Sequence, residues 1–245
     1  MSDKDALSGR LSIETKGLTK SYGSQHALKG IDLIIREGER FVIFGPNGAG
    51  KTTLIKILAA LARLTEGSVF INGMDIRRDQ VKIRRSTGVV SHQTFLYNDL
   101  TVYENLKFYG KMYDVPDLEQ RIHRITGEVQ LGDCLHDRAG TLSRGFQQRA
   151  SIARAIIHDP AIMLLDEPEV GLDSHAIELM RDILDYFTSE RRTVVVTTHN
   201  LERGLSLCDK VAILNKGEVV YQSHISEIDT ENFRETYHLH TGAGT

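Results

Sequence analysis

Two spacings of apolar residues alternate along the chain and predict a mixed α/β protein. Short apolar runs bounded by turn residues are typical of buried parallel strands. Such runs stand at 41–44, 162–165 and 194–196. From about 96 to 155 the apolar residues instead recur at helical spacing, and an amphipathic helix is expected over 174–189. The pattern predicts an α/β core with an inserted helical segment.

Turn residues predict antiparallel strands beside this core. Residues 11–45 are interpreted as short strands separated by turns at Gly17, Gly23 and Gly30. Asn72-Gly73 and the turn at 215–217 have the composition of hairpin turns. We therefore expect an antiparallel β section, and a frayed end from His238 onward.

Composition and charge limit the classes of function. The 245 residues are 40% hydrophobic and carry a net charge of -3 without a dense basic block, so nucleic acid is not an expected partner. The longest apolar-rich stretch, 54–64, is shorter than the roughly 20 residues of a membrane helix. Cys134 and Cys208 lie far apart, and the polar start lacks a secretion core. We expect a cytoplasmic protein whose membrane span, if it needs one, comes from another chain.

Residues 45–52, Gly-Pro-Asn-Gly-Ala-Gly-Lys-Thr, form a complete GxxxxGK[ST] phosphate-binding loop. The glycines let backbone N–H groups surround an anion at a helix N-terminus. Lys51 is predicted to reach the β- and γ-phosphates, and Thr52 to be a ligand of Mg²⁺. The motif predicts that the chain binds ATP or GTP. The predicted nucleotide contacts here are Gly45, Pro46, Asn47, Gly48, Ala49, Gly50, Lys51, Thr52 and Thr53.

Two acids follow the apolar run at 162–165. Ligands of open α/β sheets bind at the carboxyl ends of the strands, where Asp166 and Glu167 are expected. Asp166 is predicted to hold Mg²⁺, directly or through water, and Glu167 to polarise the attacking water.

Residues 142–149, Leu-Ser-Arg-Gly-Phe-Gln-Gln-Arg, resemble the LSGGQ signature of ATP-binding cassette (ABC) proteins. The resemblance extends from about 11 to 226. It implies that Tyr22 stacks on adenine, that Gln93 is a coupling residue able to contact the metal, and that His199 senses the γ-phosphate. It also implies that 171–173, with Asp173, form the D-loop.

The resemblance implies partners as well. In the family, Ser143 and Gly145 complete the nucleotide site of the opposite subunit, so a dimer of two copies with two ATP molecules is expected. ATP and Mg²⁺ are the implied cofactors, and integral-membrane subunits are the implied partners. They would hold the chain at the inner face of the membrane. The aromatic and apolar residues Phe95, Leu96, Tyr97 and Leu100 make the surface of residues 93–105 the expected dock for a helix of such a partner.

The implied P-loop NTPase domain spans 11–228, with a helical subdomain at about 95–156 and a tail at 229–245. The chain departs from the common ABC motifs at Arg144, Phe146 and Val170. Ser143 and Gly145 remain, so activity is expected to survive. The other histidines are interpreted as non-functional: His92, His123, His136, His158, His175, His224, His238 and His240.

Residues 142–149, together with 88–97 and 100–106, look like the ATP-binding subunit of the heme exporter used in cytochrome c maturation. ATPase subunits of drug, sodium or polysaccharide-type exporters are alternatives. A soluble ABC ATPase of iron–sulfur assembly is a further one, since the second cassette of translation factors and the insertions of repair proteins are missing. A nucleotide-binding regulator without turnover is disfavoured because Glu167 and His199 are both present.

Overall fold

The computed structural model describes residues 9–169, 181, 185 and 191–242. Its strands are β1 (Leu11–Tyr22), β2 (Gln25–Arg36), β3 (Arg40–Phe44), β4 (Ser68–Ile71), β5 (Met74–Asp75), β6 (Thr87–Ser91), β7 (Ile162–Asp166), β8 (Thr193–Thr198), β9 (Lys210–Asn215) and β10 (Glu218–His224). Its helices are α1 (Lys51–Leu58), α2 (Gln80–Ser86), α3 (Val102–Met112), α4 (Leu118–Glu128), α5 (Arg144–Ile156), α6 (Leu201–Leu205) and α7 (Phe233–Thr241). Short 3₁₀ turns lie at Gly132–Cys134, Ala139–Thr141 and Ile225–Glu227.

The central sheet has six strands in the order β10-β9-β3-β8-β7-β6. All neighbours are parallel except β10, which pairs antiparallel with β9. Every residue of β7 and β8 is buried, as expected for strands covered on both faces. The predicted strands at 41–44, 162–165 and 194–196 are confirmed. The carboxyl ends of β3, β6, β7, β8 and β9 consequently meet at one edge of the sheet.

A second, antiparallel sheet has the order β2-β1-β4-β5, which confirms the predicted antiparallel section. The predicted turn at Gly23 is confirmed, since it connects β1 to β2. The predicted turns at Gly17 and Gly30 are wrong, because β1 and β2 are continuous over 12 residues each. Gly17 and Gly30 adopt positive φ inside these strands, with a register shift between Thr15 and Leu18. A β-bulge absorbs the unusual backbone without ending the strand, so a glycine there does not mark a turn.

Both predicted hairpin turns are confirmed. Asn72 and Gly73 connect β4 to β5 with φ of 48° and 76°, and Lys216 and Gly217 connect β9 to β10 with φ of 48° and 86°. Two successive positive φ values match the twist of the flanking strands. The second turn lies at the same sheet edge as the end of β3.

Helices α3, α4 and α5 lie between β6 and β7 in the chain, although these two strands pair directly. The helix α3 begins with a capping box, in which Thr101 Oγ1 accepts a hydrogen bond from the Glu104 N–H and Glu104 accepts one from the Thr101 N–H. Val102, Leu106 and Ile122 are fully buried among the core residues on this side of the central sheet. The inserted helical segment is therefore packed onto the α/β core.

The end of the chain differs from expectation. Residues 238–241 are helical, so the predicted fraying is wrong for them. The helix α7 buries Phe233 and Tyr237, and the Phe233 ring centroid lies 5.4 Å from that of Phe44. An apolar pair one turn apart fixes the helix to the sheet.

Part of the prediction lies outside the described residues, namely Val170, the D-loop with Asp173, His175 and most of the helix expected over 174–189. Arg181 and Asp185 of that span are described, and both are helical. Among the described residues, each helix is too short or too polar to cross a bilayer.

Candidate functional site

The phosphate-binding loop connects β3 to α1, and two of its glycines, Gly45 and Gly50, are closely packed against other backbone. A side chain at Gly45 would collide with the carbonyl of Leu214, and one at Gly50 would lie 2.6 Å from the carbonyl oxygen of Ala27. Gly48 and Gly50 also have positive φ, of 79° and 109°. The backbone can therefore turn its N–H groups around an anion at the start of α1, a cradle that fits a phosphate.

Lys51 is the centre of a charged cluster at this loop. Its side chain is buried, and Nζ donates hydrogen bonds to the carbonyls of Gly45 (2.6 Å) and Pro46 (3.1 Å). Nζ also lies 3.0 Å from Glu167 Oε1, and His199 Nδ1 lies 3.4 Å from Glu167 Oε2. Three residues that the sequence assigned to one site, from the start of α1 and from the ends of β7 and β8, are thus brought together.

Thr197 organises the two acids, and sequence reasoning missed it. Its hydroxyl donates a hydrogen bond to Asp166 Oδ1 (2.7 Å) and accepts one from the Glu167 N–H (3.2 Å). The same N–H donates to the Thr197 carbonyl at 3.0 Å, and Glu167 has a φ of 47°. This turn directs Glu167 away from the strand while Asp166 stays buried. The position of Thr197 at the end of the apolar run 194–196 was the available signal.

A cleft of about 740 Å³ opens over this sheet edge. Tyr22, half exposed at the end of β1, forms one wall, and Lys20 Nζ lies 4.6 Å from the centroid of its ring. Thr52, Asp166 and Glu167 line the cleft together with the phosphate-binding loop. The cleft therefore joins an aromatic surface for a base to a cationic cradle for phosphates.

The oxygen donors in the cleft fit Mg²⁺. The Thr52 hydroxyl and the Asp166 carboxylate are hard ligands, and magnesium is commonly held by one or two such groups plus phosphate oxygens. Within the part of the chain that the structure describes, no group of three or more His, Cys, Asp or Glu side chains forms a metal cage. A metal bound here would need the oxygens of a nucleotide to complete its shell.

Gln93 is placed differently from the other predicted residues. It follows β6 with an exposed side chain and is not among the residues that line the cleft, whereas the adjacent His92 is. Its backbone is held by Ser91, whose Oγ donates to the Gln93 carbonyl (2.9 Å) and accepts from its N–H (3.2 Å). His26, Lys29 and Lys216 also line the cleft. The motifs did not include these four side chains.

Ser143 and Gly145 do not line the cleft either. Ser143 is the N-cap of α5, is exposed, and accepts a 3.5 Å hydrogen bond from the Phe146 N–H. The Phe146 ring packs beside Arg149, whose guanidinium carbon lies 5.3 Å from the ring centroid. Gln148 Nε2 donates to the Pro168 carbonyl at 3.3 Å, which links α5 to the segment after the two acids.

A second concavity, here called the apolar groove, lies between the helical insertion and the core and has a volume of about 430 Å³. Its lining includes Leu61, Val81, Phe95, Tyr109, Met112, Tyr113, Arg154 and His158. Phe95 and Tyr97 of the predicted docking surface are exposed. Asn105, the last residue of that predicted surface, is instead fully buried. Its Oδ1 accepts a hydrogen bond from the Tyr97 N–H (2.8 Å), and its Nδ2 donates one to the Tyr97 carbonyl (3.0 Å).

Comparison with known proteins identifies the family. Residues 28–170 match the ABC transporter family. The ABC transporter ATP-binding protein NatA of Bacillus subtilis (strain 168) is 33% identical over 205 residues, which are 82% of this chain and 83% of NatA. The sulfate/thiosulfate import ATP-binding protein CysA of Methylococcus capsulatus is 36% identical over 226 residues, 89% of this chain and 64% of CysA.

A solved structure agrees with these relatives. The ATP-binding cassette MJ0796, in a dimeric post-hydrolysis state bound to ADP and Pi, has a TM-score of 0.78 at 30% identity, covering 87% of this chain and 98% of that one. The chain belongs to the ABC transporter family. Its fold is that of an ABC ATPase, with a P-loop core, and it is an ATPase subunit of this class of transporter.

Proposed function

We propose that two copies of this chain bind two ATP molecules between them, hydrolyse them and drive an exporter formed by separate membrane subunits. The observation that carries the proposal is the cluster of Lys51 and Glu167 beside Asp166 in one cleft, with His199 Nδ1 3.4 Å from Glu167 Oε2 although His199 is not among the residues that line the cleft. Positioning and charge neutralisation are the main requirements of phosphoryl transfer, and this cluster supplies both.

Each residue of the cluster has a distinct proposed role. Lys51 neutralises charge on the β- and γ-phosphates, and Glu167 orients and deprotonates the attacking water. His199, within reach of Glu167, donates a hydrogen bond to the γ-phosphate. Thr52 and Asp166 would hold Mg²⁺, which supplies charge neutralisation to the phosphate oxygens when bound. Gln93, exposed at the end of β6, is proposed to join the site when the helical insertion moves.

The dimer is proposed because the signature residues Ser143 and Gly145 do not line the chain's own cleft. Ser143 and Gly145 stand at the N-terminus of α5, apart from the residues that line the cleft, and would contact the nucleotide of the other copy. The dimeric state of the related cassette MJ0796 supports this arrangement. The role of Asp173 in the same interface remains a prediction.

Membrane attachment is proposed to occur at the apolar groove. Phe95 and Met112 line this groove and are 38% and 49% exposed. Tyr97 and Phe108 are not among its lining residues, but their rings lie 5.2 Å apart and are also exposed, and apolar exposure of this degree marks interaction sites. A cytoplasmic helix of a membrane subunit docked there would hold the chain at the inner face of the membrane. Motion of the helical insertion would then be transmitted to that subunit.

Replacing Glu167 by Gln tests the proposed chemistry. Loss of a general base lowers turnover by at least about a hundredfold, so steady-state ATP hydrolysis by Glu167→Gln falls by that factor while ATP binding persists. The control is Glu202→Gln, which removes an exposed carboxylate from α6 and leaves hydrolysis unchanged. Undiminished turnover of Glu167→Gln would overturn the assignment of the base.

Heme for cytochrome c maturation is the proposed cargo. The relatives include an import protein, CysA, and therefore do not decide the direction of transport. The support for heme export is the resemblance of residues 88–97, 100–106 and 142–149 to the heme exporter subunit. Deleting the gene should abolish covalent heme in c-type cytochromes, measured by heme staining of membranes. The wild-type gene should restore it and Glu167→Gln should not. Normal cytochromes in the deletion strain would refute heme export and leave the ATPase role intact.

A further inference from the structure

Arg154 is a buried cation on the floor of the apolar groove. Arg154 exposes 9% of its surface, and its guanidinium carbon lies 5.3 Å from the ring centroid of Phe95 and 5.4 Å from that of Tyr109. One terminal nitrogen donates to the Val89 carbonyl, while Nε has no hydrogen-bond partner. Among the described residues, no carboxylate lies within ion-pair distance of it. A buried guanidinium without a counter-charge is costly.

The other lining residues do not supply that counter-charge. Arg84 and Arg85 line the groove, and no Asp or Glu does among the described residues. Arg84 donates to the Ala60 carbonyl at 3.2 Å, and Arg85 pairs with the exposed Asp114 at 2.6 Å. The groove thus combines apolar walls with an excess of positive charge.

His158 does not add to this charge at neutral pH. Burial lowers the pKa of its ring to about 4, and Nε2 lies 3.1 Å from the Thr87 carbonyl, to which it donates. The ring stacks on Tyr113 with centroids 4.0 Å apart. Arg154 is therefore a cation of the groove floor that, among the described residues, has no carboxylate within ion-pair distance.

We infer that the apolar groove receives a helix of the membrane subunit that carries an acidic residue, and that this carboxylate pairs with Arg154. The inference rests on the proposed function, because it specifies the partner of the proposed dock. Apolar side chains of the helix would cover Leu61, Val81 and Met112, and its carboxylate would accept hydrogen bonds from the guanidinium. Charge-assisted hydrogen bonds of this kind are the strong ones.

The first experiment identifies the partner segment in native cells. A photo-crosslinking p-benzoylphenylalanine replaces Met112 in the full chain, and the crosslinked peptide is sequenced by mass spectrometry. Leu239, 81% exposed on α7, provides the control position. The expected product at Met112 is a cytoplasmic segment of a membrane protein with an Asp or Glu within one helical turn of the crosslink.

The outcomes separate the two claims. A membrane segment without an acidic residue would overturn the pairing with Arg154 and leave the proposed dock standing. Crosslinking to no membrane protein would overturn the dock and the pairing with it.

The second experiment measures the pairing itself. Replacing the partner's acidic residue by its amide should weaken the purified complex about tenfold with wild-type chain. The same replacement should not weaken the complex of the Arg154→Gln chain any further, and it should weaken the complex of the Arg154→Lys chain by an intermediate factor. Arg85→Gln is the matched control and should retain the full tenfold effect. Equal weakening with wild-type chain and with Arg154→Gln, each shown to be folded by ATP binding, would contradict the inference.

Discussion

At the scale of single residues, Thr197 shows how one buried hydroxyl can order two acids with different roles. It donates to Asp166 Oδ1 and accepts from the Glu167 N–H, so both acids are fixed to the end of β8. Asp166 has 2% of its surface exposed and is therefore positioned by this bond more than by solvent.

Thr197→Val should lower the free energy of unfolding by about 1–3 kcal/mol, because Asp166 and the Glu167 N–H lose a buried partner. It should also raise the Mg²⁺ concentration needed for half-maximal ATP hydrolysis. The matched control is Thr193→Val on the same strand, whose buried hydroxyl accepts from Gly38 N–H at 3.1 Å, away from the acids. Urea unfolding and a Mg²⁺ titration measure the two effects. An equal shift of the Mg²⁺ dependence in both variants would refute the positioning role.

A site residue can be predicted from sequence when a local sequence pattern fixes its position in the fold. Lys51, Asp166 and Glu167 stand at fixed distances from strands with clear apolar patterns, so the topology alone brings them to one edge. Thr197 directly follows the apolar run 194–196, but its contact with Asp166 depends on the register between β7 and β8. The place of Arg154 depends on which helix packs over β6, and no local pattern contains that information. For the same reason His92 lines the cleft although nothing in the sequence assigns it there.

At the scale of elements, the β9–β10 hairpin supports the phosphate-binding loop. The Gly217 N–H donates to the Ala49 carbonyl at 3.0 Å, and the Gly217 carbonyl accepts from the Lys29 N–H at 2.8 Å. An added Cβ at Gly217 would lie 2.9 Å from the Ala27 carbonyl oxygen, whereas one at Gly73 would meet nothing within 4 Å.

Gly217→Ala and Gly73→Ala should each cost about 1–2 kcal/mol of folding stability, because both glycines have positive φ. Only Gly217→Ala should also raise the Kd for ATP, since its methyl group must displace the backbone next to the loop. Thermal unfolding and fluorescent-nucleotide binding measure the two quantities. The support role is wrong if the two variants bind ATP alike.

His158 follows α5, and its ring stacks on Tyr113 at the end of α3. Burial of this histidine should make stability depend on pH. Its pKa is lowered to about 4 from an ordinary 6.5, so below pH 6.5 the unfolded chain binds a proton that the folded chain does not. Stability therefore falls as pH falls, by about 2 kcal/mol from this group between pH 7 and pH 5.

Urea unfolding at pH 7 and pH 5 tests this dependence. The free energy of unfolding lost between pH 7 and pH 5 should be smaller in His158→Gln than in wild type, by about 2 kcal/mol. His224→Gln, which changes an exposed histidine on β10, should retain the full loss. A His158→Gln protein that loses as much stability as wild type would contradict the account.

The elements themselves could largely be predicted, and the exceptions have physical causes. Apolar runs and turn dipeptides identify β3, β7, β8 and both hairpins. The long strands β1 and β2 were divided in the prediction because glycines at bulges resemble glycines at turns. The helix α7 escaped prediction because two buried aromatic residues, Phe233 and Tyr237, hold it in place, and only the folded sheet reveals their partners.

At the scale of the whole molecule, each chain is proposed to contribute two different surfaces to nucleotide binding. The cleft holds Lys51, Asp166 and Glu167, while Ser143 and Gly145 stand on α5 outside it. The bond from Gln148 to the Pro168 carbonyl connects these surfaces. A nucleotide held by both would couple dimerisation to the helical insertion and, through the apolar groove, to the membrane subunit.

The proposed dimer depends on Ser143 of one chain completing the ATP site of the other. It is tested most directly by light scattering of Glu167→Gln with ATP, alone and combined with Ser143→Arg, alongside ATP binding by the diluted chain. The account predicts that Glu167→Gln forms a dimer only with ATP, and that adding Ser143→Arg leaves ATP binding intact and the chain monomeric. An ATP-bound dimer that tolerates Ser143→Arg, or loss of ATP binding by the isolated Ser143→Arg chain, would contradict it.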